Sequence, residues 1–160
     1  MNTERIKCGG LIERTDLCLV EVQGYTWRPG QSCGILGKFA EAGISLAFLN
    51  ISNDGNGLKS MSFCCADDRA HHLPGLLTEV EKEFRPCRVG VEKDIDIITL
   101  YGPHFYERVA LASEVYGSLC AAGVDAHAIG SSVNSISMVV SSSESPRTRR
   151  ALAVRFEWPE

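Results

Sequence analysis

No apolar run in the sequence approaches the roughly 20 residues needed to cross a bilayer as a helix, so a membrane-spanning helical protein is excluded. Excess positive charge is also missing. The 160 residues carry a formal net charge of −4, a poor match for nucleic acid or an anionic membrane surface. Met1 to Lys7 is polar and has no apolar signal core, so a cytoplasmic protein is expected. There is no Ser/His/Asp order, no Walker loop and no metal-ligand quartet. The seven cysteines form no CxxC pair and are odd in number, which argues against a zinc site or a disulfide framework. Most of them lie in apolar stretches: Cys18 in LCLVEV, Cys64 and Cys65 in SFCCA, Cys120 in SLCAAG. They are expected to be reduced and buried, behaving as small hydrophobes. His71 and His72 would point about 100° apart on a helix, which suits a solvated helix start better than a shared metal. No catalytic residue, metal or cofactor is expected.

What is present is a soluble globular composition, 44% hydrophobic and 22% charged, and an internal repeat. Shifted by 80 positions, Gly37 falls on Gly117, Phe39 on Leu119, Ala42 on Ala122 and Gly43 on Gly123. The match continues with Ile44 on Val124, Leu49 on Ile129 and Ser52 on Ser132. A repeat of this length defines the folding unit.

Each copy reads as strand, helix, hairpin, helix. Leu17–Val22 is rich in β-branched and apolar residues and Gly24 ends it, which predicts a strand. Arg28-Pro29-Gly30 is a turn into a helix whose inward face is Cys33, Leu36, Phe39 and Ala40. Gly43 sits where a helix end needs a left-handed residue. Ile44–Ile51 and Leu58–Cys64 are strands joined by the turn Asn53-Asp54-Gly55-Asn56-Gly57. Asp67 and Asp68 are candidate caps of a second helix carrying Leu73, Leu76, Leu77, Val80 and Phe84. Pro74 delays its start. Cys87–Val91 closes the copy as a strand. The second copy reads Ile95–Tyr101 (strand), Tyr106–Ala122 (helix), Val124–Ser131 and Ser135–Val140 (strands) and Pro146–Phe156 (helix), with Pro146 suited to a first turn. The chain ends at Glu160 before a fourth strand. Lys7–Glu13 has no place in the first copy, so it is expected to complete the second sheet. The expected fold class is α+β: two ferredoxin-like βαββαβ units with antiparallel sheets and helices on one face. The first spans 15–92; the second spans 93–160 together with 4–14.

RPGQSCGILGKFAEAGIS, LNISNDGNGLKSMSF and AAGVDAHAIGSSVNSISMVV together resemble the tandem ACT regulatory region at the C-terminus of aspartate kinases. They match its Pro-Gly helix start, its Asp-Gly hairpin and its Ala-Gly-Ile-Asn segment. The resemblance runs from about Lys7 to Trp158 without the kinase domain. It implies binding of an amino-acid effector such as lysine or threonine, with no catalysis. The implied ligand residues are Trp27, Arg28, Pro29, Gly30, Gln31, Ser32 and Asn50 in the first unit, and Asp125, Ala126, His127 and Ser132 in the second. Backbone N–H groups after Pro29-Gly30 would hold a carboxylate. Asp125 would pair with an α-ammonium, and Asn50 would hydrogen-bond either group. Three departures stand out. The asparagine that usually follows the Gly-Ile is Ser45 in one copy and Asp125 in the other. Trp27 occupies a position that is usually acidic, and the second unit reads His104-Phe105-Tyr106-Glu107 in place of a Pro-Gly start. Gly34 and Gly37 each cost about 1 kcal/mol in a helix interior, through either loose packing or a close neighbour.

Three other classes share parts of this pattern. An acylphosphatase-like enzyme would use Arg28 with Asn50 or Asn53, but the repeat favours regulation. RNA-recognition domains share the topology but need exposed aromatics on the central strands; SMSFCC and ISMVVS fit burial. A regulatory subunit of a separate kinase-type enzyme, with no ligand pocket, is the remaining alternative. A homodimer is expected, because open sheet edges invite pairing.

Overall fold

The computed structural model describes residues 4–103 and 105–159; Met1 to Thr3, His104 and Glu160 lie outside them. Among the described residues no helix is long and apolar enough to cross a membrane. The chain divides into two compact units, Asp16–Lys93 and Met1–Thr15 with Asp94–Glu160.

The first unit contains the later part of β2 (Gly10–Thr26), α1 (Gln31–Glu41), β3 (Phe48–Asn53), β4 (Leu58–Ala66), α2 (Leu73–Phe84) and the start of β5 (Arg88–Tyr101). Its strands run in the order β3-β4-β2-β5, the βαββαβ arrangement. Cys18, Val20 and Val22 on β2 face the same way as Cys65, Phe63 and Met61 opposite them on β4. They pack with Ile35 and Phe39 of α1 and Leu73, Leu77, Val80 and Phe84 of α2. Period-two alternation thus meets period-3.6 stripes in one core. Phe39 and Phe63 meet edge to face at 4.7 Å. The hairpin turn closes on Asp54, whose Oδ1 accepts the N–H groups of Asn56 (2.8 Å) and Leu58 (3.2 Å). Gly43 takes φ +70°; its N–H donates to Ala40 O and that of Ile44 to Phe39 O, ending α1 as expected.

Several local expectations need correction. The inward face of α1 is Ile35 and Phe39; Cys33 and Ala40 are exposed. β2 does not end at Gly24. It bulges between Gln23 and Tyr25 and continues to Thr26. β3 begins at Phe48, four residues after Ile44. Asp67 and Asp68 open a 3-10 turn (Asp67–His72) with no side-chain cap bond, and α2 proper begins at Leu73 with Pro74 in its first turn. Cys87 lies outside β5, which continues unbroken from Arg88 to Tyr101. Cys18, Cys64 and Cys65 are buried, but Cys33, Cys87 and Cys120 are exposed.

The second unit contains β1 (Ile6–Lys7), the start of β2, the rest of β5, α3 (Leu111–Ala122), β6 (Ala128–Ser131), β7 (Ser135–Ser141), α4 (Ser145–Arg155) and β8 (Phe156–Glu157). Its main sheet is ordered β2-β5-β7-β6. The N-terminal segment therefore supplies the fourth strand, as the missing strand required; Gly9 N–H donates to Tyr101 O at 2.7 Å. β1 also pairs in parallel with β8, Ile6 opposite Phe156. Both side chains are buried with Ile98, Leu100, Val115, Leu119, Ile136, Met138, Val140 and Leu152. α3 starts at Leu111, five residues after Tyr106, preceded by a single 3-10 turn at Phe105–Glu107. β6 likewise begins at Ala128, after Val124.

Candidate ligand-binding loops

The first unit's strand-to-helix loop is held from three sides. The Gly24 bulge, at φ +69°, lets β2 turn Tyr25 into the core, where it is fully buried. Its hydroxyl then lies 2.8 Å from Ser32 Oγ in the first turn of α1. Trp27 N–H donates to Gly57 O in the hairpin turn at 2.8 Å. Gly30 adopts φ +87° as the residue capping α1, a conformation natural to glycine. The loop is thereby fixed relative to both helix and hairpin.

These restraints bring Trp27, Arg28, Pro29, Gly30 and Ser32 together around a pocket of ≈ 530 Å³, joined by Cys33 and Lys59. Lys59 Nζ sits 5.9 Å from the centre of the Trp27 ring, within cation–π range. A smaller pocket of ≈ 200 Å³ on the other side of Trp27 is lined by Asn53, Gly55, Gly57 and Leu58. α1 has no side-chain cap bond and no acidic residue in its first turn. Helix geometry leaves first-turn N–H groups such as those of Ser32 and Cys33 without intrahelical acceptors. The pocket therefore offers an anion two cations and helix N–H groups, beside an aromatic wall.

Not all expected residues converge here. Gln31 donates its N–H to Arg28 O and does not line the pocket. Asn50 is exposed on β3 opposite Ser62 and does not line it either. In the second unit Asp125 is exposed in the turn after α3, and Ala126 packs against the core. His127 donates its N–H to Val139 O, and its Nε2 lies 3.0 Å from Ser141 Oγ. Ser132 Oγ lies 2.8 Å from Ser135 Oγ. None of these four lines the second unit's own loop pocket, which has ≈ 400 Å³ and is walled by Lys7, Cys8, Gly9, Gly102, Pro103, Phe105 and Arg108. Burial pushes the Cys8 thiol up to about 11, opposed by the nearby Arg108 cation. Ala110 caps α3 at φ +64°, doing there what Gly30 does for α1.

Sequence reasoning missed Lys59, Lys7 and Arg108. Arg108 was findable, since it is Arg28 displaced by the 80-residue repeat. Lys59 follows from the register of β4 against β2, which sets it opposite Tyr25. Lys7 required knowing where the N-terminal segment goes. A third groove, between α3 and α4, is lined by Gly117, Ser118, Ala121, Ala122, Ala151 and Val154, with Glu114 and Arg155. The two charges among its described lining residues neutralise each other: Arg155 Nε and Nη2 donate to Glu114 at 2.7 and 2.8 Å. This hydrogen bonding holds the Glu114 carboxyl below its ordinary range.

No match was found among family models or curated protein sequences. Solved structures do match. The regulatory subunit of aspartate kinase from Thermus flavus superposes with a TM-score of 0.84 at 19% identity, over 94% of this chain and 99% of that one. The ligand-free regulatory subunit from Thermus thermophilus gives 0.83 at 19%, over the same shares. A C-terminal regulatory domain of aspartate kinase from Porphyromonas gingivalis, described as putative, gives 0.71 at 16%, over 92% and 96%. The aspartate kinase of Clostridium acetobutylicum matches over 98% of this chain but 36% of its own length. At these identities the likeness establishes the fold: the chain has the fold of the aspartate kinase regulatory subunits.

Proposed function

We propose that this chain is a regulatory protein that binds a small amino acid and passes its occupancy to a separate enzyme chain of the aspartate kinase type, itself catalysing nothing. The observation that carries this reading is the first unit's loop. A strand-to-helix turn, pinned by the Tyr25–Ser32 contact and the Trp27–Gly57 hydrogen bond, opens a pocket at an uncapped helix start. Several solved chains sharing this fold are regulatory parts without a kinase domain, which supports a non-catalytic role. The seven cysteines, all free, suit a reducing cytoplasm.

Assembly with a second copy is part of the proposal. β3 lies at the sheet's edge and exposes Leu49 and Ile51, an edge that invites pairing with an identical strand. Asn50 lies on this same edge strand, so pairing there would place Asn50 at the contact between the copies. Light scattering should give a dimer mass; a strict monomer at high micromolar concentration would defeat this part.

A thermal-shift screen against amino acids and their biosynthetic intermediates tests the core of the reading. A ligand present at about 100 times its Kd stabilises by about 2.7 kcal/mol, a rise of several degrees for a domain of this size. A flat screen would favour a pure interaction subunit with no surviving pocket.

A further inference from the structure

The loop pockets share a charge pattern that narrows their ligand. Arg28 and Lys59 line the first; Lys7 and Arg108 line the second. Among the described residues no carboxylate lines either one. The ion pairs of the described residues involve other cations: Arg5, Lys38, Arg147, Arg149 and Arg155. The acid of the neighbouring hairpin, Asp54, is engaged by the N–H groups of Asn56 and Leu58. Glu157, opposite Lys7 in the β1–β8 register, lines an adjoining cleft that Lys7 also borders, and its carboxylate lies 4.0 Å from Arg5.

Arg28 and Arg108 are related by the same 80-residue displacement that defines the repeat. Each lies two residues before a left-handed residue, Gly30 or Ala110, that caps the following helix. The second cation comes from a different place in each unit, β4 in one and the N-terminal strand in the other. Two unlike routes thus give one lining: a guanidinium from the loop, an ammonium from another strand and, among the described residues, no acid.

We infer that both loops recognise an acidic amino acid, through its two carboxylates. This rests on the amino-acid-binding reading above and narrows it. The arginine fork matches a carboxylate in two-point geometry, and the lysine adds a compact point charge for the second. A neutral amino acid has one carboxylate for two cations. A basic one would bring a third cation to a pocket that offers it no counter-charge, and like charges placed together oppose binding.

Isothermal titration of the full chain with L-aspartate and L-glutamate, against L-lysine, L-threonine and inorganic phosphate, tests the inference. The acidic amino acids should bind, and the combined Arg28→Gln and Arg108→Gln variant should weaken them by about tenfold or more. Both arginines are exposed, so the variant should fold. Tighter binding of L-lysine or L-threonine would overturn the ligand class and leave the amino-acid-sensing role standing. Phosphate binding as tightly as L-aspartate would overturn it in favour of a general anion site. Acidic amino acids binding equally well to the variant would overturn the placement. Failure of every amino acid to bind would overturn both this inference and the proposed function.

Discussion

The two units share one fold and build it differently. The first is a single stretch of chain, Asp16–Lys93, and all its strands lie close in sequence order. The second draws its fourth strand and the buried Ile6 from the other end of the chain. Their helix pairs also differ. In the first, Gly34 lets the Phe84 ring approach so closely that a Cβ there would sit 2.8 Å from it, and Lys38 bridges to Glu83 at 2.7 Å and Glu79 at 3.5 Å. In the second, Gly117 has open space around its missing Cβ, and the two-point Arg155–Glu114 pair ties α4 to α3. The same topology is therefore closed by local packing in one copy and by a distant segment plus an ion pair in the other.

Removing that distant segment should have the largest effect. Deletion of residues up to Thr15 strips the edge of β5 and uncovers apolar surface around Phe156. The second unit should lose its cooperative structure while the first retains it. Hydrogen exchange read separately over α1–α2 and α3–α4 would show this; equal protection in both would erase the distinction drawn here.

A smaller contrast lies in the helix glycines. Gly34→Ala forces the Phe84 ring out of place and should destabilise the first unit by about 1–3 kcal/mol, the range for overpacking. Gly117→Ala meets nothing and should stabilise the second by up to about 1 kcal/mol. Chemical denaturation of the two variants checks the sign of each. If both move the same way, Gly34 is not the close-contact residue that the packing indicates.

The smallest effect is electrostatic. The Glu114 carboxyl is lowered in the folded state, first by its hydrogen bonds from Arg155. A lowered carboxyl stabilises the fold above its unfolded value of about 4.5, and that contribution is lost as pH falls through the folded value. Between about pH 5 and pH 3 the second unit should weaken more in the native chain than in Glu114→Gln. Because the pair is partly exposed, the difference should be modest and should shrink with added salt.

Much of the architecture was legible in the sequence because it rests on local chemistry. Asp54 with Gly55 and Gly57 makes the hairpin, Gly43 ends α1, and Pro146 opens α4. The missing fourth strand also pointed correctly to the N-terminal segment. The errors have physical causes. On α1, Cys33 and Ala40 fit the helical period as well as Ile35 does, and only packing into the core decides between them. The helical pattern that begins at Tyr106 overshoots the start of α3, because Phe105–Glu107 turns helically but stops after one 3-10 turn. The loop residues Trp27 to Gly30 were found because they are contiguous. Lys59 and Lys7 were not, because sheet register and a crossing strand bring them to the loop.

The two tryptophans supply the most direct test of the central claim, that the loops are ligand sites. Trp27 lines the first unit's pocket, and Trp158 lines the cleft adjoining the second's. Each contributes one indole N–H signal to a nitrogen–proton correlation spectrum. Titration with the best-binding amino acid should shift the Trp27 indole together with the Gly30, Ser32 and Cys33 amides, saturating at the Kd measured by calorimetry. Saturable binding that leaves these four signals in place would contradict the account.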